Sequence, residues 1–295
     1  MEKLNNTEEL LLVQQYLSTF DDWYQLNENV FFREYTDHGP RHIREVWSTA
    51  EQLLTANSKI NFSAADCAVL VCSTLLHDFA MHLQVESFIQ LVSNEFPAVG
   101  ENDFGDKPWA SLWKEYISEI HRISDSSRFN LFGTYDPIEP PDLMDAENWT
   151  AKQNRYIGEF VRRHHPRIAY EITINGIPGT QGILPIDQID QESAIYSLSM
   201  LSGIVARSHG MNLRETFIVI ERDYHLISFQ ESHPIYLMIL LRIADYVQLQ
   251  STRAPQKLLK IKKLKSPLSQ SEWGLHDTIQ GVTFDTEPDP EVLKV

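Results

Sequence analysis

The length and composition of the chain are those of a folded globular protein. It has 295 residues, of which 42% are hydrophobic, enough for one large domain or for a domain with an appended piece. The formal net charge of −16 argues against non-specific nucleic-acid binding, because that affinity depends largely on many lysine and arginine contacts to phosphates. A small phosphorylated substrate stays possible, since a metal ion and a few local arginines can overcome the overall field.

The sequence predicts a cytoplasmic protein without a membrane span. No segment has the roughly 18 to 20 uninterrupted apolar residues of a membrane helix, and residues 1–6 lack the apolar core of a signal peptide. Cys67 and Cys72 lie five residues apart in one apolar segment. They are interpreted as reduced core residues rather than as a disulfide or thiolate ligands.

Helical periodicity dominates the chain from its N-terminus onward. Apolar residues recur at three- and four-residue spacing in segments 8–17, 42–54, 64–76, 109–120, 153–163, 194–206 and 235–249. Pro40 and Ser63 suit the starts of the second and third of these helices. Residues 171–185 alternate and contain Asn-Gly, which predicts a short β-hairpin, and residues 129–149 contain three prolines and predict an irregular loop. The expected fold is all-α with a small hairpin.

The C-terminal part differs in composition from the rest of the chain. Residues 257–265 contain five lysines, and residues 286–291 are polar and interrupted by proline. A solvated surface strand, a partner-binding segment and an electrostatic clamp are the alternatives for the basic run.

The most distinctive local feature is an adjacent histidine and aspartate, His77 and Asp78, that close the long apolar segment 64–76. Packing gives an apolar helix no reason to end on an imidazole beside a carboxylate. A divalent cation, in contrast, needs nitrogen and oxygen donors fixed on rigid elements. The pair therefore predicts part of a metal site, provided that further donors are found.

Further candidate donors stand at helix ends or within apolar helices: His38, His42, His164, His165, His209 and Asp245. Each has an alternative explanation when taken alone. A histidine at a helix C-terminus complements the helix dipole and can cap free carbonyls, and Asp245 could pair with Arg242. Chance explains each of them more easily than it explains the whole set.

The chain resembles the HD-domain metal-dependent phosphohydrolase superfamily in the order of its donors: His42, His77-Asp78, His165, His209 and Asp245. The additional histidines resemble the subgroup with two metal ions, which includes the HD-GYP phosphodiesterases and the bacterial diadenosine tetraphosphate hydrolases. In that subgroup a histidine followed by Pro-x-x-Gly/Ala is a ligand. Residues 165–169 have this form, so His165 is preferred and His164 is the alternative.

This resemblance implies an HD-domain helical bundle over residues 31–250. A long insertion at about 83–150 and the hairpin at about 171–185 would lie within the bundle. Residues 1–30 would form an N-terminal helix, and residues 251–295 a basic, then polar C-terminal extension.

A narrower resemblance is to HD modules of bacterial conflict or defence proteins, often fused to an Hsp90-like ATPase. Residues 35–39, 162–165 and 266–273 carry it, and it implies a fused or partner domain at the C-terminus. The chain departs from the HD-GYP proteins at Met81, where they have a lysine that contacts substrate phosphate, and the GYP motif is missing. Cyclic dinucleotide hydrolysis is therefore not supported.

The two-metal resemblance implies that Asp78 bridges two cations. One cation would be held by His42, His77 and Asp245, and the other by His165 and His209. Nitrogen-rich mixed donors suit Mn, Fe, Ni, Co or Zn better than Ca.

The catalytic and substrate-binding residues are predicted in the same way. By its likeness to the proton donor of cyclic nucleotide phosphodiesterases, four residues ahead of the ligand histidine, His38 is a candidate general acid, and Asp78 is the second catalytic candidate. Arg41, Arg163 and Arg167 adjoin proposed ligands and are candidates for phosphate binding; each is alternatively a surface charge.

The sequence thus predicts a metal-dependent phosphohydrolase or phosphodiesterase that cleaves a nucleotide ester or anhydride with metal-activated water. A di-iron HD oxygenase is the second enzyme hypothesis. A non-catalytic regulatory or interaction module of a bacterial defence system is the third.

Overall fold

The computed structural model of the protein describes residues 4, 8–26, 30–36, 38–93, 95–96, 106–180, 194–223, 230–248, 262, 264–279, 283–284 and 293–294. They contain the helices α1 (Glu8–Leu26), α2 (Pro40–Leu53), α3 (Ala56–Asn61), α4 (Ala64–Leu76), α5 (Val85–Val92), α6 (Trp109–Arg122), α7 (Asp125–Phe132), α8 (Ala151–Asn175), α9 (Ala194–Ser208), α10 (Leu213–Asp223), α11 (Pro234–Tyr246) and α12 (Pro267–Thr278). Short 3-10 turns span Phe79–His82 and Ala146–Asn148, and two-residue strands β1 (Thr283–Phe284) and β2 (Leu293–Lys294) pair antiparallel. The predicted all-α fold is confirmed.

Helix α4 lies at the centre of the fold and packs against α1 and α9. Eleven of its 13 residues are buried, which explains why its sequence is apolar on every side rather than along one stripe. Phe79, just beyond the helix, packs edge-on against Phe20 of α1 with ring centroids 4.3 Å apart. This packing fixes the end of α4, where His77 and Asp78 stand.

The start of α4 is tied to the start of α11 through one buried carboxylate. The Ser63 hydroxyl accepts the Asp66 N–H at 2.9 Å, and Asp66 accepts the Ser63 N–H at 3.0 Å, a reciprocal N-terminal cap. Asp66 also accepts the backbone N–H of His233 at 2.7 Å, one residue before α11 begins. Asp66 therefore fixes the position of α4 relative to α11 at their N-terminal ends. The candidate metal donors of these two helices lie at the opposite, C-terminal ends.

Helix α8 corrects two sequence expectations. The predicted segment 153–163 continues through Pro166 to Asn175, so the predicted hairpin is wrong over residues 171–175; residues 181–185 lie outside the described part. Ile168 and Ile172 are buried at four-residue spacing, and buried Glu171 accepts hydrogen bonds from Arg167 and Trp109 at 2.7 and 2.5 Å. The burial of Ile168 and Ile172 and the tertiary contact of Glu171 with Trp109 of α6 outweigh the local alternation and the proline.

The remaining segments are more helical than the sequence suggests. The predicted insertion contains α5, α6 and α7, and the predicted loop at 129–149 begins inside α7 and includes one 3-10 turn. Cys67 and Cys72 are buried and form no disulfide. In the C-terminal extension, α12 packs against α7, and most of the basic run 257–265 lies outside the described residues. Among the described helices, none combines the length and the apolar composition of a membrane span.

Close packing at Gly158 gives a stability prediction. A Cβ on this α8 residue would lie 2.6 Å from the backbone oxygen of Phe31, whereas a Cβ on Gly274 of α12 would meet nothing within 4 Å. We expect Gly158→Ala to lower the free energy of unfolding by about 1–3 kcal/mol. The control Gly274→Ala should raise it by up to about 1 kcal/mol, through helix propensity. Urea denaturation of both variants measures these free energies of unfolding. Equal changes in the two variants would contradict the close approach of Gly158 to the Phe31 backbone.

Candidate metal centre

Three helices bring a first group of donors together. His42 lies in the first turn of α2, His77 and Asp78 follow α4, and Asp245 lies near the end of α11. One ligand atom from each of the four lies within 4.8 Å of all the others. The distance from His42 Nε2 is 3.2 Å to Asp78 Oδ2 and 3.4 Å to Asp245 Oδ1. His77 Nε2 is 3.2 Å from the same Asp78 oxygen.

A second group shares Asp78 with the first. It consists of Asp78, His165 from the middle of α8, and His209 directly after α9. The two imidazole Nε2 atoms are 2.8 Å apart, and His165 Nε2 is 3.4 Å from Asp78 Oδ1. The two oxygens of Asp78 therefore face different groups, Oδ2 the first and Oδ1 the second. Asp78 itself has a backbone conformation, φ −106° and ψ 4°, that is common at active sites.

Three of the imidazoles are oriented by the same local bond. The Nδ1 atoms of His77, His165 and His209 lie 2.7, 2.6 and 2.5 Å from the carbonyl oxygen three residues earlier in the chain. Because a carbonyl only accepts hydrogen bonds, Nδ1 carries a proton in each ring, and Nε2 carries the lone pair whenever the ring is neutral. A carbonyl partner of this kind is typical of metal-binding histidines.

Pro166 explains how His165 obtains its carbonyl partner inside a helix. Proline lacks the N–H that would bond to the carbonyl four residues earlier, which here is the carbonyl of Arg162. The His165 ring occupies that acceptor at 2.6 Å. The proline thus replaces one helical hydrogen bond with a bond that orients a candidate ligand.

The spacing of the donors fits a divalent cation. Metal–nitrogen bonds of about 2.0–2.1 Å place two ligands of one metal roughly 3.0–3.4 Å apart, and the Nε2 atoms of His42 and His77 are 3.3 Å apart. Imidazole lone pairs so close to each other repel unless a proton or a cation lies between them. Buried carboxylates among buried imidazoles likewise suit a bound metal ion.

The pKa values describe how the donors respond to one another. Burial opposes ionisation of Asp78, but His77 and His38 hold its pKa well below the usual range. Burial also disfavours charge on His77, yet Asp78 and Asp245 raise its pKa to about 9. Burial and His209 lower the pKa of His165 to about 3. His165 is therefore neutral and ready to bind metal at pH 7, whereas His77 must release a proton to do so.

The candidate centre lies in a cleft of about 560 Å³. His38 lines this cleft with Asp78, His165, His209 and Asp245, and its Nδ1 is 2.9 Å from Asp78 Oδ2. Part of the wall is formed by residues that sequence reasoning missed: Tyr35, Arg162, Tyr246, and from α12 Leu268, Glu272, Trp273 and His276. The α12 residues reach the cleft through long-range contacts, such as the bond from Trp273 Nε1 to the Glu34 carbonyl at 2.9 Å.

The three arginines predicted to bind phosphate do not line this cleft. Arg41 is exposed and pairs with Glu45, and Arg163 and Arg167 line a separate cavity of about 300 Å³. His164 also lines that second cavity and lies against Trp109, so the structure brings His165 rather than His164 to the centre.

Helix geometry gives the reason for this division. Residues advance by about 100° around a helix, so positions 163 and 167 lie almost opposite His165, whereas position 162 lies on its face. Applying this spacing to the helical segment that ends in His165 would have identified Arg162 from the sequence.

Comparison with known proteins assigns the chain to a family. A family model described as HD-CE matches residues 32–293, and the chain therefore belongs to the HD-CE family, with an HD-type domain. The match extends past residue 250, where the sequence predicts the end of the domain; that boundary stays a prediction. Searches of curated proteins and of solved structures found no significant match.

Close packing of Gly210 against Pro166 holds the two histidines of the second donor group near each other. A Cβ on Gly210 would lie 2.3 Å from Cγ of Pro166, so the residue after His209 sits against the residue after His165. We expect Gly210→Ala to displace His209 and to weaken metal binding to the second group by about tenfold, the effect of a disturbed supporting contact. Calorimetric titration with Mn²⁺ measures this. If Gly210→Ala leaves the affinity for every bound ion unchanged, the packing of Gly210 against Pro166 does not support the site. Gly274→Ala is the matched control.

Proposed function

We propose that the protein is a metal-dependent phosphohydrolase or phosphodiesterase that cleaves a phosphate ester or anhydride of a nucleotide. The observation that carries this proposal is the position of Asp78, whose two oxygens face two donor groups at a cleft. Membership of the HD-CE family supports it at the level of an HD-type domain. A divalent cation in such a site acts as a Lewis acid and brings the pKa of a bound water close to neutrality.

The donors divide between two ions in this proposal. His42, His77 and Asp245 would hold one ion, His165 and His209 would hold the other, and Asp78 would serve both. Mixed nitrogen and oxygen donors suit Mn, Fe, Ni, Co or Zn. All of these side chains come from helices or from helix ends, which are rigid enough for a precise site.

The substrate in this proposal is small. A cleft of about 560 Å³ lies within the range of small-molecule sites, about 300–1,000 Å³. The net charge of −16 disfavours long nucleic acids. A short phosphorylated ligand needs only local positive charge, which the ions and nearby side chains supply.

His38 is the proposed proton donor to the leaving group. Its ring lines the cleft, with 20% of the side chain exposed. Asp78 accepts a hydrogen bond from the ring at 2.9 Å, and the His38 carbonyl accepts one from His82 Nε2 at 2.9 Å. The residue is thus held on both its side chain and its backbone, as a general acid must be to meet its substrate.

The test is hydrolysis of a panel of nucleotides by metal-loaded wild type and three variants, with both inorganic phosphate and nucleotide products measured. We expect Asp78→Ala to lose at least about 10³-fold in rate, because both donor groups lose their shared ligand. His38→Ala should lose about 10²–10⁴-fold, the usual contribution of a general acid. His121→Ala, an exposed histidine of α6, is the control and should match wild type.

Two outcomes would contradict the proposal and favour its alternatives. Oxygen consumption by an iron-loaded chain without hydrolysis of any nucleotide would favour the di-iron oxygenase. Bound metal without turnover of any nucleotide would favour the regulatory module.

A further inference from the structure

We propose that Arg162 is the phosphate-binding residue of the metal cleft. The inference rests on the proposed function, because it assigns how that function's anionic substrate is held. The ligand class is a phosphate monoester, diester or anhydride whose oxygens accept hydrogen bonds from the guanidinium.

The position of Arg162 in α8 carries the first step. Arg162 lies three residues before His165, which places both on one face of the helix. It lines the cleft together with His165, and 40% of its side chain is exposed. A group bound beside the His165 ring is thus within reach of the guanidinium.

The second step is that the guanidinium is held in place. Its Nε and Nη2 donate to the two oxygens of Glu159 at 2.8 and 2.9 Å, and the Glu159 side chain is only 4% exposed. Tyr35, which also lines the cleft, interacts electrostatically with the same guanidinium. A guanidinium has five N–H donors, so donors remain for a ligand after these contacts. A guanidinium that is held in one orientation and keeps unused N–H groups is suited to bidentate phosphate binding.

The third step is the charge of the cleft. Among the described residues that line it, Arg162 is the single lysine or arginine, alongside the carboxylates Glu34, Asp78, Asp245 and Glu272. Glu34 is paired with Arg155 at 2.9 Å. A phosphate in this cleft would therefore meet the Arg162 guanidinium in addition to any bound metal ion, while Lys262 donates to the Tyr35 carbonyl at 3.2 Å and lies over the Trp273 ring.

The neighbouring Arg163 provides a matched control. It also donates to Glu159, from Nε at 2.9 Å, but it lines the other cavity and pairs with Glu119. Removing either arginine costs Glu159 one partner. Removing Arg162 alone takes a cation from the metal cleft.

The experiment compares Arg162→Ala, Arg162→Lys and Arg163→Ala with wild type, using the metal-loaded full chain. Calorimetry measures binding of inorganic phosphate, and elemental analysis measures metal content. We expect Arg162→Ala to weaken phosphate binding about 10- to 100-fold, as for loss of charged hydrogen bonds, with metal content unchanged. Arg162→Lys should lie between Arg162→Ala and wild type, because an ammonium keeps the charge but not the fork. Arg163→Ala should stay within about twofold of wild type.

Kinetics with any nucleotide that is hydrolysed add a second readout. Arg162→Ala should raise KM more than it lowers kcat, which is the signature of lost substrate binding. If Arg162→Ala does not fold, Arg162→Lys decides: weaker phosphate binding supports the inference and unchanged binding overturns it. Equal losses in Arg162→Ala and Arg163→Ala, or no phosphate binding by wild type, would also overturn it. Phosphate binding that depends on Arg162 without turnover of any nucleotide supports the inference while contradicting the proposed function.

Discussion

The carboxylate of Asp78 lies between two sets of imidazoles, with one oxygen 3.2 Å from His42 and His77 and the other 3.4 Å from His165. A buried carboxylate in such surroundings is stable only when it is paired. The arrangement requires five chain segments to meet at one point, and a bound cation would draw those segments together. The geometry of this one residue therefore links the fold to the proposed chemistry.

Several separate local contacts, each involving a few residues, position the five segments. Asp66 ties the starts of α4 and α11 together through the backbone of His233. Pro166 frees a helical carbonyl that orients His165, and Gly210 lets the chain after His209 pack against that proline. Near the centre, the loss of one helical hydrogen bond at Pro166 and the absence of a side chain at Gly210 thus help to orient the donors.

The sequence predicts helix α4 with the observed bounds, because its apolar residues, its Ser63 cap and its closing His77 all agree. It fails at the end of α8, where a proline and an alternating pattern suggest a break. There the decisive contacts are tertiary, such as that of Glu171 with Trp109 of α6. The choice of Arg163 and Arg167 over Arg162 follows their adjacency to proposed ligands along the chain, whereas helical spacing places Arg162 on the face of His165.

The α12 wall of the cleft was beyond sequence reasoning, because its contact with Glu34 spans more than two hundred residues. The domain boundaries, the fused partner domain and the cytoplasmic location stay predictions. The donor residues themselves could be identified from the sequence, since metal chemistry admits few residue types. Their roles as ligands stay part of the proposal.

Anomalous X-ray scattering from crystals of the Mn²⁺-loaded protein would locate the ions around Asp78. We expect two peaks about 3.5–4 Å apart, the usual separation in two-metal sites, with Asp78 between them. One peak should lie beside His42 and His77, and the other beside His165 and His209. A single peak, peaks elsewhere, or no peak would contradict the proposed pair of ions at Asp78.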